Sequence, residues 1–148
     1  MKPTPSGWPR ISSSLYHDDP RAAIDWLCAA FGFELRLLVE GEGGVIEHSE
    51  LTYGEGLIMV CGPKPAKFPH IKSPTQVGGA NTQNMMLYVD DVEAHCRRVR
   101  EAGGAILQEP SVHDYGSDYW ADKSYECRDV GGHHWWVSQR MRTLGTPA

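Results

Sequence analysis

The chain has 148 residues, enough for one domain with a full core or for two half-size modules that share one. Its apolar fraction of 41%, charged fraction of 22% and net charge of −5 describe an ordinary acidic globular protein and argue against a nucleic-acid or anionic-membrane partner. No run approaches the roughly 18 apolar residues that cross a bilayer, and the opening MKPTPSGWPR lacks the apolar core of a secretion signal, so a cytoplasmic location is expected.

The first predicted strand, residues 11–16, runs into a helix that Asp19 caps and Pro20 begins. Ala23, Trp26, Leu27, Ala30 and Phe31 then follow the spacing of one buried helical face, and Gly32 supplies the left-handed stop. Three strands follow, at residues 34–40, 45–53 and 56–61, with turns at Gly41 to Gly44 and Gly54 to Gly56. Residues 63–82, rich in proline and glycine, read as a linker. The same grammar then returns. A strand at 83–89 meets a helix capped by Asp91, with Val92, Cys96, Val99 and Ala102 as its stripe and Gly103-Gly104 as its stop. Strands at 105–112, 124–129 and 133–139 complete the second copy, and residues 141–148 read as a tail.

The recurrence is visible in the residues themselves. Slid along itself until Leu15 meets Leu87, the chain also superposes Tyr16 on Tyr88, Asp18-Asp19 on Asp90-Asp91, Ala22 on Ala94, Gly32 on Gly104 and Leu35 on Leu107. Two similar supersecondary modules are expected, residues 9–62 and 83–140, each β-α-β-β-β, with a site between them. Cys28, Cys61, Cys96 and Cys127 lack CxxC spacing and sit among apolar neighbours, so reduced, half-buried thiols are expected.

A duplicated βαβββ chain with paired openings Leu15-Tyr16-His17-Asp18-Asp19 and Leu87-Tyr88-Val89-Asp90-Asp91 resembles the vicinal oxygen chelate superfamily, which holds glyoxalase I, extradiol dioxygenases and the bleomycin-resistance proteins. The phrase Arg128-Asp129-Val130-Gly131-Gly132-His133-His134-Trp135 is similar to the usual ending of that family, with Val130 where proline is common. The resemblance implies an α+β fold in which two curved mixed sheets enclose a cavity, and a homodimer. One such fold hosts many chemistries.

Given that fold, strand alternation assigns faces. Met85, Leu87 and Val89 should pack on the helix, leaving Asn84, Met86 and Tyr88 for the cavity, with Ser12, Ser14 and Tyr16 as their counterparts. Ser49 and Leu51 fall on the helix side, and His48 and Glu50 on the cavity side. Tyr125 and Cys127 go to the core, leaving Ser124, Glu126 and Arg128. Metal-using members take one His, Gln or Glu from the first strand of each module and one Glu from the last. Carried across, those places fall on Ser12, Asn84, Trp136 and either Met59 or Val60. None suits zinc, nickel or iron, so neither a metal nor another cofactor is expected there.

Seven histidines remain to be placed. His133 and His134 are adjacent and point to opposite faces. His48 and Glu50 share a face and either begin an unconventional metal site with Glu126 or His134, or hydrogen-bond Arg128 and serines in a polar wall. His17 reads as a turn residue, His95 as a helix-face residue, and His70 and His113 as linker and loop residues. Glu50 and Glu126 are a repeat-related carboxylate pair able to do acid–base work in a dry cavity. No Gly-x-Ser-x-Gly elbow or phosphate loop is present.

Tyr115, Tyr119, Trp120, Trp135 and Trp136 crowd the last third of the chain. Trp135 should be core, Trp136 should face the cavity, and Trp120 should lie in a lid loop. These rings either fill the barrel or stack on a flat organic ligand. The expected function is binding of an aromatic or amphipathic small molecule at Ser12, Ser14, His48, Glu50, Asn84, Met86, Trp120, Glu126, Arg128, His134 and Trp136. The alternative is a metal-dependent lyase or dioxygenase with a rearranged site.

Overall fold

The computed structural model describes residues 1–143. The chain divides between Ala80 and Asn81 into two compact units. The first contains β1 (Ser13–Tyr16), α1 (Pro20–Trp26), β2 (Glu34–Glu40), β3 (Ile46–Tyr53) and β4 (Gly56–Cys61). The second contains β5 (Met85–Tyr88), α2 (Val92–Glu101), β6 (Ala105–Asp114), β7 (Ala121–Arg128) and β8 (His134–Arg142). Both are βαβββ modules. Each folds into a four-stranded mixed sheet, ordered β1-β4-β3-β2 and β5-β8-β7-β6, with its first strand parallel to its last and the other pairs antiparallel.

Each helix starts where the sequence says it should. Asp19 Oδ1 accepts the Ala22 amide at 3.0 Å and Asp91 Oδ1 accepts the Ala94 amide at 2.9 Å, satisfying one otherwise orphaned donor at each end. The first helix then departs from expectation. After Trp26 it widens into a π turn, Leu27–Phe31, before Gly32 closes it at φ 88°. Ile24 takes the buried place expected of Trp26, which is half-buried and tilts against Phe31 at 5.2 Å. In α2 the buried stripe is Val92, His95, Cys96 and Val99, whereas Ala102 is the exposed C-cap.

The helix-side cores follow alternation. Leu15, Leu51 and Val60 in the first sheet and Tyr125, Cys127 and Val137 in the second are fully buried. Ser49 belongs to the same layer and satisfies itself locally: its Oγ donates to the Val60 carbonyl at 2.6 Å and accepts the Val60 amide at 2.9 Å. Tyr125 reaches His95 on α2, oxygen to Nδ1 at 2.7 Å, so His95 belongs to the helix's buried side. His17, expected in a turn, is also buried. Burial pushes the Tyr125 phenol far up and the Cys127 thiol to about 12. All four cysteines are free thiols.

The strands of the second sheet outrun their predicted ends. β6 and β7 pair as far as Asp114↔Ala121, and β7 and β8 as far as Ala121↔Arg142. Arg142 clamps that end through Asp114 Oδ1 at 2.6 Å and the Gly116 carbonyl at 2.8 Å. Met141 and Arg142, expected in the tail, therefore close β8; the rest of that expected tail beyond Thr143 lies outside the described residues. Pro110 falls in the irregular register between Gln108 and Ser111 on edge strand β6, where its missing amide is tolerated. Within residues 63–82, Ser73 and Thr75 bond to Asp18 of the first unit, whereas Asn81 holds Gly132 and His134 of the second.

Candidate functional site

With one face of each sheet given to a helix, the chemistry-bearing side chains collect on the other. Asp129 sets the geometry that leads into β8. Its Oδ1 accepts the Gly131 and His133 amides at 2.9 and 3.0 Å, and its Oδ2 accepts the Trp135 indole at 3.0 Å. Trp135 is thereby drawn into the core, and alternation turns His134 and Trp136 to the helix-free face.

On that face of the first sheet, His48 Nε2 lies 3.0 Å from Glu50 Oε1, and the buried Glu50 carboxylate also meets Arg36 Nε at 3.3 Å. Glu50's cationic partner is thus Arg36 of its own module. Arg36 donates to the Gly7 and Ser6 carbonyls as well, at 2.5 and 3.3 Å, tying the N-terminal segment to the same network. Sequence reasoning missed Arg36 because it sits at a register shift in β2, between Leu35 and Leu37. The apolar run Leu37-Leu38-Val39, which breaks strict alternation, is the trace of that irregularity in the sequence. Ser14 Oγ rests 3.8 Å from Met59 Sδ, and Ser12 Oγ is enclosed without a hydrogen-bond partner among the described residues.

On the helix-free face of the second sheet, His134 Nε2 meets Glu126 Oε2 at 2.7 Å, a second His–Glu pair built across β7 and β8 rather than along one strand. Ser124 and Ser138 bond to each other at 2.8 Å and are buried. The rings of Trp136 on β8 and His113 on β6 lie 5.8 Å apart, spanning the intervening strand β7. Ser111 Oγ is 3.2 Å from His113 Nε2 and accepts the Gln108 side-chain amide at 3.3 Å. His113 was expected in a loop; β6 runs past it and gives it a strand position with these partners.

Further along, Tyr88 donates to Asp122 Oδ2 at 3.0 Å, and Arg140 Nε donates to Asp122 Oδ1 at 2.5 Å. The Arg140 guanidinium lies over both the Tyr88 and Trp120 rings, 5.1 and 5.6 Å from their centroids. Burial, with the Asp122 carboxylate adding to it, raises the Tyr88 phenol. Trp120 occupies the short β6–β7 connection, whose ends are joined by the Tyr115 amide to the Trp120 carbonyl at 3.1 Å, and it packs against Tyr115 and Tyr119. Asn84 and Arg128 are exposed, as is Met86. Among the residues expected to line a site, the first module joins His48 to Glu50, and the second joins Glu126 to His134. Tyr88 was expected on the cavity side, whereas its partners Asp122 and Arg140 and the Gln108–Ser111–His113 row were not anticipated there.

The register also separates Met59 from Val60. Ser14 pairs with Met59 as Met86 pairs with Trp136, so Met59 is the counterpart of Trp136, and Val60 belongs to the buried helix side. The four inherited metal positions therefore carry a hydroxyl, an amide, a thioether and an indole. Such a set does not fit a divalent transition metal, which needs imidazole, thiolate or carboxylate. Among the described residues, no group of three or more His, Cys, Asp or Glu side chains is placed to hold a metal ion, and no helix is long and apolar enough to cross a membrane.

The model of the Glyoxalase/Bleomycin resistance protein/Dioxygenase superfamily matches residues 10–137. Among solved structures, the chain is similar to TioX from Micromonospora sp. ML1, at 30% identity and a TM-score of 0.68, covering 90% of this chain and 100% of that one. It shares its fold with TnmS3, an antibiotic-binding protein from Streptomyces sp. CB03234, at 19% identity and a TM-score of 0.63, covering 87% of this chain and 93% of that one. An uncharacterized protein of Mycobacterium bovis is 29% identical over 143 residues, 92% of this chain and 86% of its own. The duplicated modules, their strand order and the matched span together place this chain in the glyoxalase/bleomycin resistance/dioxygenase superfamily.

Proposed function

We propose that this protein binds and sequesters an aromatic or amphipathic small molecule. The observation that carries the reading is Trp136. This large ring, only partly buried, stands on the helix-free face where metal-using relatives are expected to place glutamate, beside His113 and opposite Met86. An indole offers no lone pair to a metal but offers a flat apolar surface to a conjugated ligand. The antibiotic-binding character of TnmS3, a fold relative, supports the same class of ligand.

In this reading Ser12, Ser14, His48, Glu50, Asn84, Met86, Trp120, Glu126, Arg128, His134 and Trp136 supply the ligand contacts, and the protein acts in the cytoplasm as a homodimer. Stacking on one ring is worth about 1–3 kcal/mol in base–aromatic systems, so Trp136→Ala should weaken binding roughly 5- to 150-fold. The test is quenching of tryptophan fluorescence by bleomycin and by doxorubicin, an amphipathic polycyclic aromatic. Saturable quenching whose midpoint Trp136→Ala moves upward by that factor is the expected result. Failure of both compounds to bind, with turnover of a glutathione adduct or a catechol that His48→Ala abolishes, would favour the metal-dependent lyase or dioxygenase instead.

A further inference from the structure

Ligand recognition by stacking alone would not distinguish one flat ring from another, yet the ring that stands beside Trp136 is polar. His113 and Trp136 approach to 5.8 Å at an interplanar angle of 50°, so a ligand lying on the indole has its edge at the imidazole. The hydrogen-bond row on β6 sets a hydroxyl against one imidazole nitrogen. The Gln108 amide can only donate, and it donates to Ser111 Oγ at 3.3 Å. Ser111 Oγ lies 3.2 Å from His113 Nε2, and its own hydrogen is available to that nitrogen. A neutral imidazole that accepts at Nε2 is protonated at Nδ1. Among the described residues, His113 Nδ1 has no hydrogen-bond partner.

We infer that His113 is a specificity-determining residue which donates its Nδ1–H to a carbonyl-type acceptor on the edge of a planar aromatic ligand stacked on Trp136. Resting on the small-molecule reading above, the inference narrows the ligand class: flat aromatic ketones and quinone-like compounds over hydrocarbons of the same outline. Gln108 and Ser111 act as positioning residues that hold the imidazole in the donating tautomer. Three residues of one edge strand thereby read a single acceptor, while the indole supplies surface.

The test compares 9-fluorenone-2-carboxylate with fluorene-2-carboxylate, two planar tricycles of equal charge that differ at one carbonyl. One neutral hydrogen bond should make the ketone bind about 3- to 10-fold more tightly to the wild-type protein. His113→Phe keeps a ring beside Trp136 and should erase that preference, so that the two tricycles bind the variant with equal affinity. His113→Asn, whose amide reaches the Nδ1 position, should restore part of it. Equal affinities in the wild type, or a preference that survives in His113→Phe, would overturn the inference while leaving the stacking site intact. If neither tricycle binds the wild type, the inference falls, and the small-molecule reading is decided separately by the bleomycin and doxorubicin titrations.

Discussion

Module one sets Ser14 against Met59 where module two sets Met86 against Trp136, and Ser49 against the backbone of Val60 where module two sets Tyr125 against His95. The two halves nevertheless share a strand order, a pattern of parallel and antiparallel pairs, and an aspartate cap on each helix. On the helix side the difference is one of volume, taken up by packing. On the helix-free side it is one of chemistry. Module one offers a His48–Glu50–Arg36 network beside the part-exposed apolar residues Leu37 and Val39, whereas module two offers two histidines, an indole and an Asp122-anchored arginine stack. A duplicated framework keeps the strand order and helix caps that burial enforces and differs in chemistry on the face that no helix covers.

The largest effect should come from truncating one of two neighbouring tryptophans. Trp135 is buried and anchored by Asp129. Trp135→Ala should cost about 3–5 kcal/mol of stability by opening a core cavity, measured by denaturant unfolding. Trp136→Ala should cost far less stability. The reverse order would mean that the β8 faces are misassigned.

Ser49→Ala removes a hydroxyl that serves both the Val60 amide and its carbonyl in a buried layer. A loss of about 1–3 kcal/mol is expected, because those backbone groups are left unsatisfied. An unchanged unfolding midpoint would show that module one relaxes where module two is rigidly packed. The caps sharpen the opposite point. Asp19→Ala and Asp91→Ala should each cost about 1 kcal/mol, equally, since both carboxylates accept the same helical donor at nearly the same distance.

The smallest effect belongs to the exposed clamp at the end of module two's sheet. The Arg142 guanidinium, helped by the Gly116 amide, holds the Asp114 carboxyl at about 2, below its ordinary 3.8. A carboxylate depressed in this way stabilises the fold fully above roughly pH 4, and that contribution disappears as pH falls toward 2. The wild type should therefore be slightly more stable than Asp114→Asn at pH 6, and the two should converge near pH 2. Melting temperatures across that range provide the check.

Much of this architecture was legible in the sequence because strand periodicity is strict. Leu15, Leu51, Leu87, Tyr125, Cys127 and Trp135 are buried on the side assigned to them, and Trp136 is turned away from it. What escaped were departures from period. The π turn after Trp26 shifted one helical position, and the irregularity in β2 brought Arg36 to Glu50. The pattern on β6 lost its alternation around Pro110, so His113 read as loop although it pairs with Asp122 in the sheet. Asp122, Tyr88 and Arg140 come from three strands that are neighbours only after β8 inserts between β5 and β7, a pairing no local pattern encodes.

The ligand is proposed to bind the helix-free face of module two through Trp136. Titration calorimetry of doxorubicin with the wild type, Trp136→Ala and Met59→Ala tests it most directly, because Met59 holds the matching place in module one. Kd should rise roughly 5- to 150-fold for Trp136→Ala and change by about threefold or less for Met59→Ala. An unchanged Kd in Trp136→Ala, with a large loss in Met59→Ala, would contradict it.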